Sequence, residues 1–443
     1  MLVWFVRLEL IVGLVGGFSG TLLFISHSRG GPFQLVLVLL LGVVGMGVGL
    51  EIPLLIRILK DRMKLEDLIA RVLFFDYLGA LAASLLFPLI LVPKLGLIKA
   101  GLLLGLLNAG VGLWIIALFR DALPSARRLT VEALLTVVIL GSGLFYGERL
   151  TKFIENDLYP HEIMHAESSR WQRIVLTRSR RGELRLYLNS HLQFSSRDEY
   201  RYHEALVHPA MSLAPQRKLR VLVLGGGDGL AVRELLRYPD VQEVVLVDLD
   251  AAITDLAAAD TLAEINQQAL ADPRVTVVNA DAFGWLEAHQ GQVFDVAIVD
   301  FPDPSNYGVG KLYTLTFYRL LKSRLSEAGL LAVQSTSPLV ARRSFWCIEA
   351  TIAEAGLHTR PYHAFVPSFG EWGYILAGPA PIQAPRLLRR PVPKDLRYLT
   401  DATLASLFEF PADMAPVPDS PVNRLNDQQL VRLYDQEWAE LSQ

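Results

Sequence analysis

The chain has 443 residues, 52% of them hydrophobic, and a formal net charge of −3. That length allows two or three domains with large cores, and the lack of a basic run excludes nucleic acid as a partner. A single cysteine, Cys347, excludes an intrachain disulfide and a cysteine-based zinc site, and no metal-ligand pattern such as H-E-x-x-H is present.

The hydrophobic residues are concentrated in the first third. Leu8–Ser26, Phe33–Leu59, Leu68–Val92, Leu95–Phe119 and Val131–Tyr146 are apolar runs, most near or above the roughly 20 residues that cross a bilayer. One such run fits a cleaved signal peptide, but five do not, so residues 1–147 are predicted to be a multi-pass transmembrane helical domain. The glycine runs at 13–17 and 42–49 suit close approach of helices. The loop Arg57–Lys64 carries four positive residues and Arg120–Arg128 three, which places both in the cytoplasm. Five spans then put the rest of the chain outside. The intracellular ligand implied by the motifs from residue 219 onward requires the opposite, and that part of the chain is expected in the cytoplasm on that ground. The abrupt apolar start, Met1-Leu-Val-Trp-Phe5, leaves room for a preceding segment. Glu51 and Asp76 fall within or near apolar spans, where an ionisable group marks either an interhelical or interfacial contact or a path for a cation.

Residues 148–167 read as a polar linker, followed at 168–210 by a small antiparallel β region. There Trp171–Thr177 and Leu184–Leu188 alternate around a turn as a hairpin. This region is expected to form a lid or a contact between copies in a homo-oligomer. A helix starting near Arg197 is predicted to end near Pro209, because proline cannot donate within a helix. From 211 to 380 strands and helices alternate. Leu219–Leu224 is a buried strand ended by Gly225-Gly-Gly-Asp228-Gly229, and a helix follows from Ala231. Further strands Val244–Val247, Val275–Val278, Phe294–Val299 and Leu330–Val333 predict a doubly wound, Rossmann-like sheet of the class I methyltransferase type. Leu357–Phe365 and Gly373–Ala377 close it as an antiparallel pair. The extension 381–443 is proline-rich, then helical from Asn426 to Leu441, with no legible chemistry.

In such a sheet Asp228, Asp248, Asp281, Asp300, Asp303 and Gln334 all follow the carboxyl ends of strands, where ligands bind. Asp248, twenty residues beyond Asp228, is placed to accept hydrogen bonds from both hydroxyls of a ribose. The set describes an acidic cleft, which suits a cationic substrate. An aspartate at 228 repels the carboxylate of S-adenosylmethionine but accepts a tail that ends in an ammonium group alone, as in decarboxylated S-adenosylmethionine. A cap on the following helix is the structural alternative for this residue. At the level of function, two alternatives stand beside this reading. One is an S-adenosylmethionine-dependent methyltransferase, and the other is a membrane polyamine transporter or sensor whose nucleoside-binding domain is not catalytic.

Trp171-Gln172-Arg-Ile174, Leu188-Asn-Ser-His-Leu-Gln193, Arg197-Asp-Glu-Tyr-Arg-Tyr202-His203-Glu204, GGGDG at 225–229, VDLD at 247–250, NADAF at 279–283 and DFPDP at 300–304 together resemble the polyamine aminopropyltransferases, chiefly spermidine synthase, in their membrane-fused bacterial form. Members of that branch often carry further hydrophobic helices before the point where this chain begins. The resemblance implies transfer of the aminopropyl group of decarboxylated S-adenosylmethionine, a co-substrate, to putrescine, with no prosthetic group and no metal. Gln172, Gln193, Gly225 and Gly227 would line the nucleoside site. Asp248 would hold the ribose, Asp281 and Ala282 the adenine, and Asp228 the aminopropyl ammonium. Asp300 would take the proton of the attacking amine, which Tyr202 and His203 would position. Asp303 and Gln334 would bind the far end of the diamine. Phe369 stands where the family usually has tyrosine, so it can pack on an alkyl chain but cannot hydrogen-bond an amine. Glu371 nearby is an exposed loop carboxylate or a second ammonium site. Asp300 and Asp303 are close enough in sequence to predict mutual repulsion in an empty site.

Overall fold

The computed structural model describes residues 1–28, 31–60, 63–123, 125–147, 149, 158–389 and 391–441. Arg29, Arg62 of the basic loop, and residues 148 and 150–157 of the expected linker lie outside them. Two units divide between Ile163 and Met164.

The first unit is helical: α1 (Leu2–Ser28), α2 (Phe33–Leu59), α3 (Leu65–Leu86), α4 (Val92–Leu118) and α5 (Ala126–Phe145). The five apolar runs become four helices long and apolar enough to cross a membrane, because the third and fourth runs join. A π-helical turn, Phe87–Leu91, links α3 to α4, giving 54 continuous residues. That length is about 80 Å, well over the roughly 30 Å hydrocarbon thickness of a bilayer. Gly96, at φ 75° and ψ 166°, breaks the helical path within it. Helix α1 meets α4 at glycines: a Cβ on Gly105 would lie 2.3 Å from the Gly13 carbonyl oxygen. The second glycine run behaves differently. Of its members only Gly47 is crowded, against Val12, while Gly42, Gly45 and Gly49 have open space.

The second unit begins with a four-stranded sheet in the order β1 (Glu162–Ser168), β2 (Arg173–Arg178), β3 (Leu184–Leu188), β4 (His191–Ser195). The hairpin read at 171–188 is the β2–β3 pair. The end of the expected linker is itself strand β1, a short polar segment whose burial pattern has no clean alternation to betray it.

The helix after β4 spans Glu199–Leu213 and runs through Pro209 rather than ending there. Proline removes the donor that would bond the Ala205 carbonyl one turn back. The Tyr362 hydroxyl replaces it, donating to that oxygen at 3.0 Å in the buried core. A distant side chain therefore satisfies the acceptor that the local sequence leaves open.

Seven strands form the main sheet, in the order β10 (His358–Val366), β11 (Gly370–Gly378), β9 (Leu325–Gln334), β8 (Phe294–Asp300), β5 (Leu219–Gly225), β6 (Val241–Asp248), β7 (Val275–Asn279). Strands β5 to β9 are parallel, and β10 and β11 add the expected antiparallel pair. Both faces are covered, so successive residues of the central strands enter opposite cores. Val221, Val223, Val296 and Ile298 face one, and Leu222, Leu224, Ala297 and Val299 the other. The extension belongs to both cores, with Leu399, Leu404 and Leu407 in the first and Leu430 and Leu433 in the second. The strand order reverses at β5, between β6 and β8, and there the end of β5 is paired in register with the end of β8, Gly225 with Asp300.

Candidate active site

The turn after β5 is shaped by the carboxylates around it. Gly225 and Gly226 have φ of 76° and 66°, a backbone region that side chains disfavour. A Cβ on Gly225 would lie 2.3 Å from the Asp300 carbonyl oxygen, and one on Gly226 3.0 Å from Asp300 Oδ2. A Cβ on Gly227 would lie 2.7 Å from Asp248 Cγ. Only glycine lets the turn come this near to Asp300 and Asp248.

Asp248 ends β6, and its two oxygens accept backbone N–H groups from Gly227 (3.0 Å) and Asp250 (2.9 Å). Burial above all raises its pKa to about 6, against those two bonds. Gln172 reaches the same corner by a route the motif did not reveal. Its amide donates to Asp250 Oδ2 at 3.0 Å, beside the Ser169 hydroxyl at 2.6 Å. Gln193 is not drawn in; its amide donates to the His191 carbonyl, and among the described residues it has no hydrogen bond to the Asp248 group. Asp281, at the start of the helix Ala282–Ala288, lies near Asp248 through the Ala280 N–H bond to the Asp248 carbonyl. Its carboxylate pairs with Lys311 Nζ at 2.9 Å, so it adds no net charge to the cleft. Ala282 is buried beside it. Lys311 had no sequence signal, because only the fold brings it across.

Asp228 does cap the next helix, accepting the Leu230 N–H on Oδ1 at 3.0 Å. Its Oδ2 takes no hydrogen bond from the described residues, so the capping role leaves one oxygen for a ligand. Burial chiefly raises Asp228 to about 6. His203 faces this group from the helix Glu199–Leu213, with Nδ1 3.0 Å from the Glu199 carboxylate. Burial opposes a charge on His203, but the hydrogen bond to Glu199 and the carboxylates of Asp228 and Asp300 push it up to about 9. The imidazole is therefore a cation at neutral pH. Glu199 is held in turn by Arg233 through two bonds of 3.0 and 2.8 Å.

Tyr202, one residue earlier, donates its hydroxyl to Asp300 Oδ1 at 2.6 Å. Burial chiefly raises Asp300 above the ordinary carboxylate range, while His203 and the Tyr202 hydrogen bond lower it. The like-charged neighbour that adds to the rise is Asp248, not Asp303. The expected repulsion between Asp300 and Asp303 is thus replaced by separate environments. Asp303 accepts from Thr336 (3.1 Å) and Tyr434 (3.0 Å) on Oδ2 and from Gln334 (3.4 Å) on Oδ1, and burial chiefly raises it to about 6.

Gln334 is braced rather than free. Its amide also donates to the Phe301 carbonyl at 2.5 Å and the Tyr313 hydroxyl at 2.6 Å, and its oxygen accepts the Trp372 indole N–H at 3.2 Å. Phe369 packs at a tilt near Tyr202 and Trp372, with ring centroids 6.0 and 5.1 Å away. Its loop is held by Asp198, which accepts the Ser368 N–H and hydroxyl. Glu371 is not an open ammonium site, since it pairs with His363 at 2.9 Å. Tyr434, from the extension that showed no chemistry in sequence, is the main omission. Its helix carries amphipathic spacing but nothing that names Asp303 as a target.

A spermine/spermidine synthase domain matches residues 199–380, which hold all of this group except Ser169, Gln172, Gln193, Asp198 and Tyr434. The chain is 50% identical to a polyamine aminopropyltransferase of Leptospira interrogans, over 98% of this chain and 86% of that protein. It is 51% identical to polyamine aminopropyltransferase 2 of Ralstonia nicotianae, over 99% of this chain and 86% of that one. A crystal structure of spermidine synthase in complex with the transition state analogue AdoDATO superposes with a TM-score of 0.52 at 26% identity, covering 56% of this chain and 86% of that one. With relatives this similar along nearly its whole length, the chain belongs to the polyamine aminopropyltransferase family.

Proposed function

We propose that this protein transfers the aminopropyl group of decarboxylated S-adenosylmethionine to putrescine, forming spermidine and methylthioadenosine. The observation that carries the reading is the Tyr202–Asp300 pair at the point where the strand order reverses, with the unshared Asp228 oxygen and the His203 imidazole beside it. Asp248 is suited to a ribose, and the unshared oxygen of Asp228 to the aminopropyl ammonium. Asp303 is suited to the far ammonium of the diamine.

An alkylammonium is protonated at neutral pH and cannot attack. Asp300, its basicity increased by burial, takes one proton from the near ammonium. The freed nitrogen lone pair forms a bond to the aminopropyl carbon attached to sulfur. The carbon–sulfur bond breaks toward sulfur, which leaves as a neutral thioether, and the new secondary amine carries the positive charge. A sulfonium is already a good leaving group, so the site contributes mainly alignment and charge placement. Tyr202 fixes Asp300 Oδ1, and Phe369 with Trp372 gives the methylene chain an apolar wall.

The apolar helices α1 to α5 are proposed to hold the protein in the cell membrane as a multi-pass protein, with its catalytic unit in the cytoplasm. The test of the reaction is mass spectrometry of the products formed by purified protein from the decarboxylated donor and a panel of amines. Spermidine and methylthioadenosine are expected with putrescine. Methylated products from S-adenosylmethionine, or no transfer to any amine, would overturn the proposal.

A further inference from the structure

The acceptor end of the cleft is completed by a part of the chain outside the matched domain. Tyr434, on the helix Gln429–Leu441 of the C-terminal extension, donates its hydroxyl to Asp303 Oδ2 at 3.0 Å. Thr336 donates to the same oxygen at 3.1 Å. Among the described residues Oδ1 accepts from Gln334, over a long 3.4 Å. A carboxylate oxygen accepts about two such bonds, so Oδ2 is filled and Oδ1 is the oxygen left for a ligand. The Tyr434, Thr336 and Gln334 donors are all neutral, so they orient the carboxylate without balancing its charge.

The phenol is anchored from both sides. Before the helix, the fully buried Asn423 donates its amide to the Gly310 and Tyr313 carbonyls at 3.3 and 3.0 Å, and accepts the Leu430 N–H at 3.3 Å. That ties the start of the helix to the segment that follows Asp303. One turn beyond Tyr434, Glu437 accepts the N–H groups of Arg343 and Ser344 at 2.7 and 3.0 Å and the Ser344 hydroxyl at 2.6 Å. That ties the end of the helix to the first turn of the helix Arg342–Glu354. Tyr434 is itself 8% exposed, with the Trp438 ring 5.7 Å away. The plane of the Asp303 carboxylate is therefore set, and Oδ1 has a fixed place relative to Asp300, which Tyr202 holds in the same manner.

Two carboxylates held in place define a length. We propose that Tyr434 is a positioning residue for the acceptor amine: acting through Asp303, it sets the distance from the base to the far-ammonium subsite and so selects diamines by length. The choice of amines rests on the proposed reaction. A longer diamine requires Asp303 to turn, which the two bonds to Oδ2 resist. A monoamine places no charge at that subsite and is indifferent to Tyr434.

The test is isothermal titration of putrescine, 1,5-diaminopentane and n-butylamine into the full chain in lipid nanodiscs, with methylthioadenosine present and no donor, so that nothing turns over. In Tyr434→Phe the dissociation constant for putrescine should rise about tenfold, because a hydrogen bond to a charged group is lost. The constant for n-butylamine should change by less than about twofold, and the preference for putrescine over 1,5-diaminopentane should fall by about threefold or more. Equal weakening of all three amines marks a merely structural tyrosine and overturns the inference. An unchanged putrescine constant or an unchanged preference between the diamines overturns it too, as does a wild-type chain that binds no diamine. Product analysis separates the two proposals. If the amines bind in the expected pattern but the wild-type chain transfers nothing to them, the proposed reaction fails and the role of Tyr434 stands. If the wild-type chain forms spermidine while Tyr434→Phe leaves the amine pattern unchanged, the role of Tyr434 fails and the reaction stands.

Discussion

Replacing Tyr202 by phenylalanine isolates one bond of the site. The ring keeps its packing against Phe369, Trp372 and Tyr374, and only the hydroxyl that donates to Asp300 at 2.6 Å is lost. A hydrogen bond this short to a carboxylate stabilises the charged form. Such bonds contribute about 1.5–3 kcal/mol, and one pKa unit corresponds to about 1.36 kcal/mol. Removing the hydroxyl should therefore raise the Asp300 pKa by roughly 1–2 units. On the proposed mechanism Asp300 acts as the carboxylate, so the acid limb of kcat/KM for the amine moves up by the same interval. The profile is measured at saturating donor, where the cationic nucleoside holds Asp228 charged and keeps it out of the limb. Above the limb the rate should fall by less than about tenfold, because the base itself remains. A limb that moves by less than about 0.3 units in a folded variant refutes the coupling between Tyr202 and the base.

Asp300→Asn should lower turnover at saturating amine by roughly 10²–10⁴-fold, whereas Asp303→Asn should mainly raise KM for the amine; steady-state kinetics on both variants separates the roles. Tyr434→Phe removes a hydroxyl donated to Asp303 and should raise the same KM by roughly tenfold without changing kcat. Tyr362→Phe leaves the Ala205 carbonyl opposite Pro209 without a donor and should lower unfolding free energy by about 1–3 kcal/mol in a denaturant titration of the isolated α/β unit. Asp228, Asp248 and Asp303 titrate near 6 when folded, above their ordinary value near 4. Their contribution to stability is complete below about pH 4 and is lost as pH rises through 6. A cationic ligand offsets that loss, so spermidine should raise Tm more at pH 7.5 than at pH 5, as followed by differential scanning fluorimetry.

The elements that follow local rules were legible in the sequence, and those that depend on a distant partner were not. The parallel strands appear as apolar runs because both sheet faces are buried, and the turn at 225–229 appears because its backbone needs glycine beside two carboxylates. Knowing where those strands end was enough to gather Asp228, Asp248, Asp300 and Asp303 on one edge. Pro209 misled because its rule is local, while the Tyr362 hydroxyl that satisfies the freed Ala205 carbonyl lies 157 positions from that residue in the chain. Asp281 counted as a free acid until folding brought Lys311 to it, and Gln334 as a free amide until Phe301, Tyr313 and Trp372 surrounded it. Tyr434 lies 131 positions from Asp303, on a helix whose pattern reports an apolar face and not which acid it meets.

The charge balance of the cleft bears on which sulfonium nucleoside it accepts. With Asp281 paired to Lys311, the acids left around the nucleoside corner include Asp228, Asp248 and Asp300, and His203 lies among them as a cation. That imidazolium is already tied to Glu199, which Arg233 also holds, so it offsets part of the acidic charge without neutralising it. Each of the three aspartates is raised by burial, which means that the empty cleft holds negative charge at an energetic cost. A ligand with a sulfonium and an ammonium relieves that cost. S-adenosylmethionine brings the same two charges plus a carboxylate, and the oxygen of Asp228 that remains unshared would face it. On the proposed reading, a preference for the decarboxylated nucleoside would follow from repulsion of the other one as much as from attraction. Asp228→Asn should accordingly narrow the ratio of the two dissociation constants. Isothermal titration with both nucleosides measures that ratio directly, and an unchanged ratio would move the source of selectivity away from Asp228.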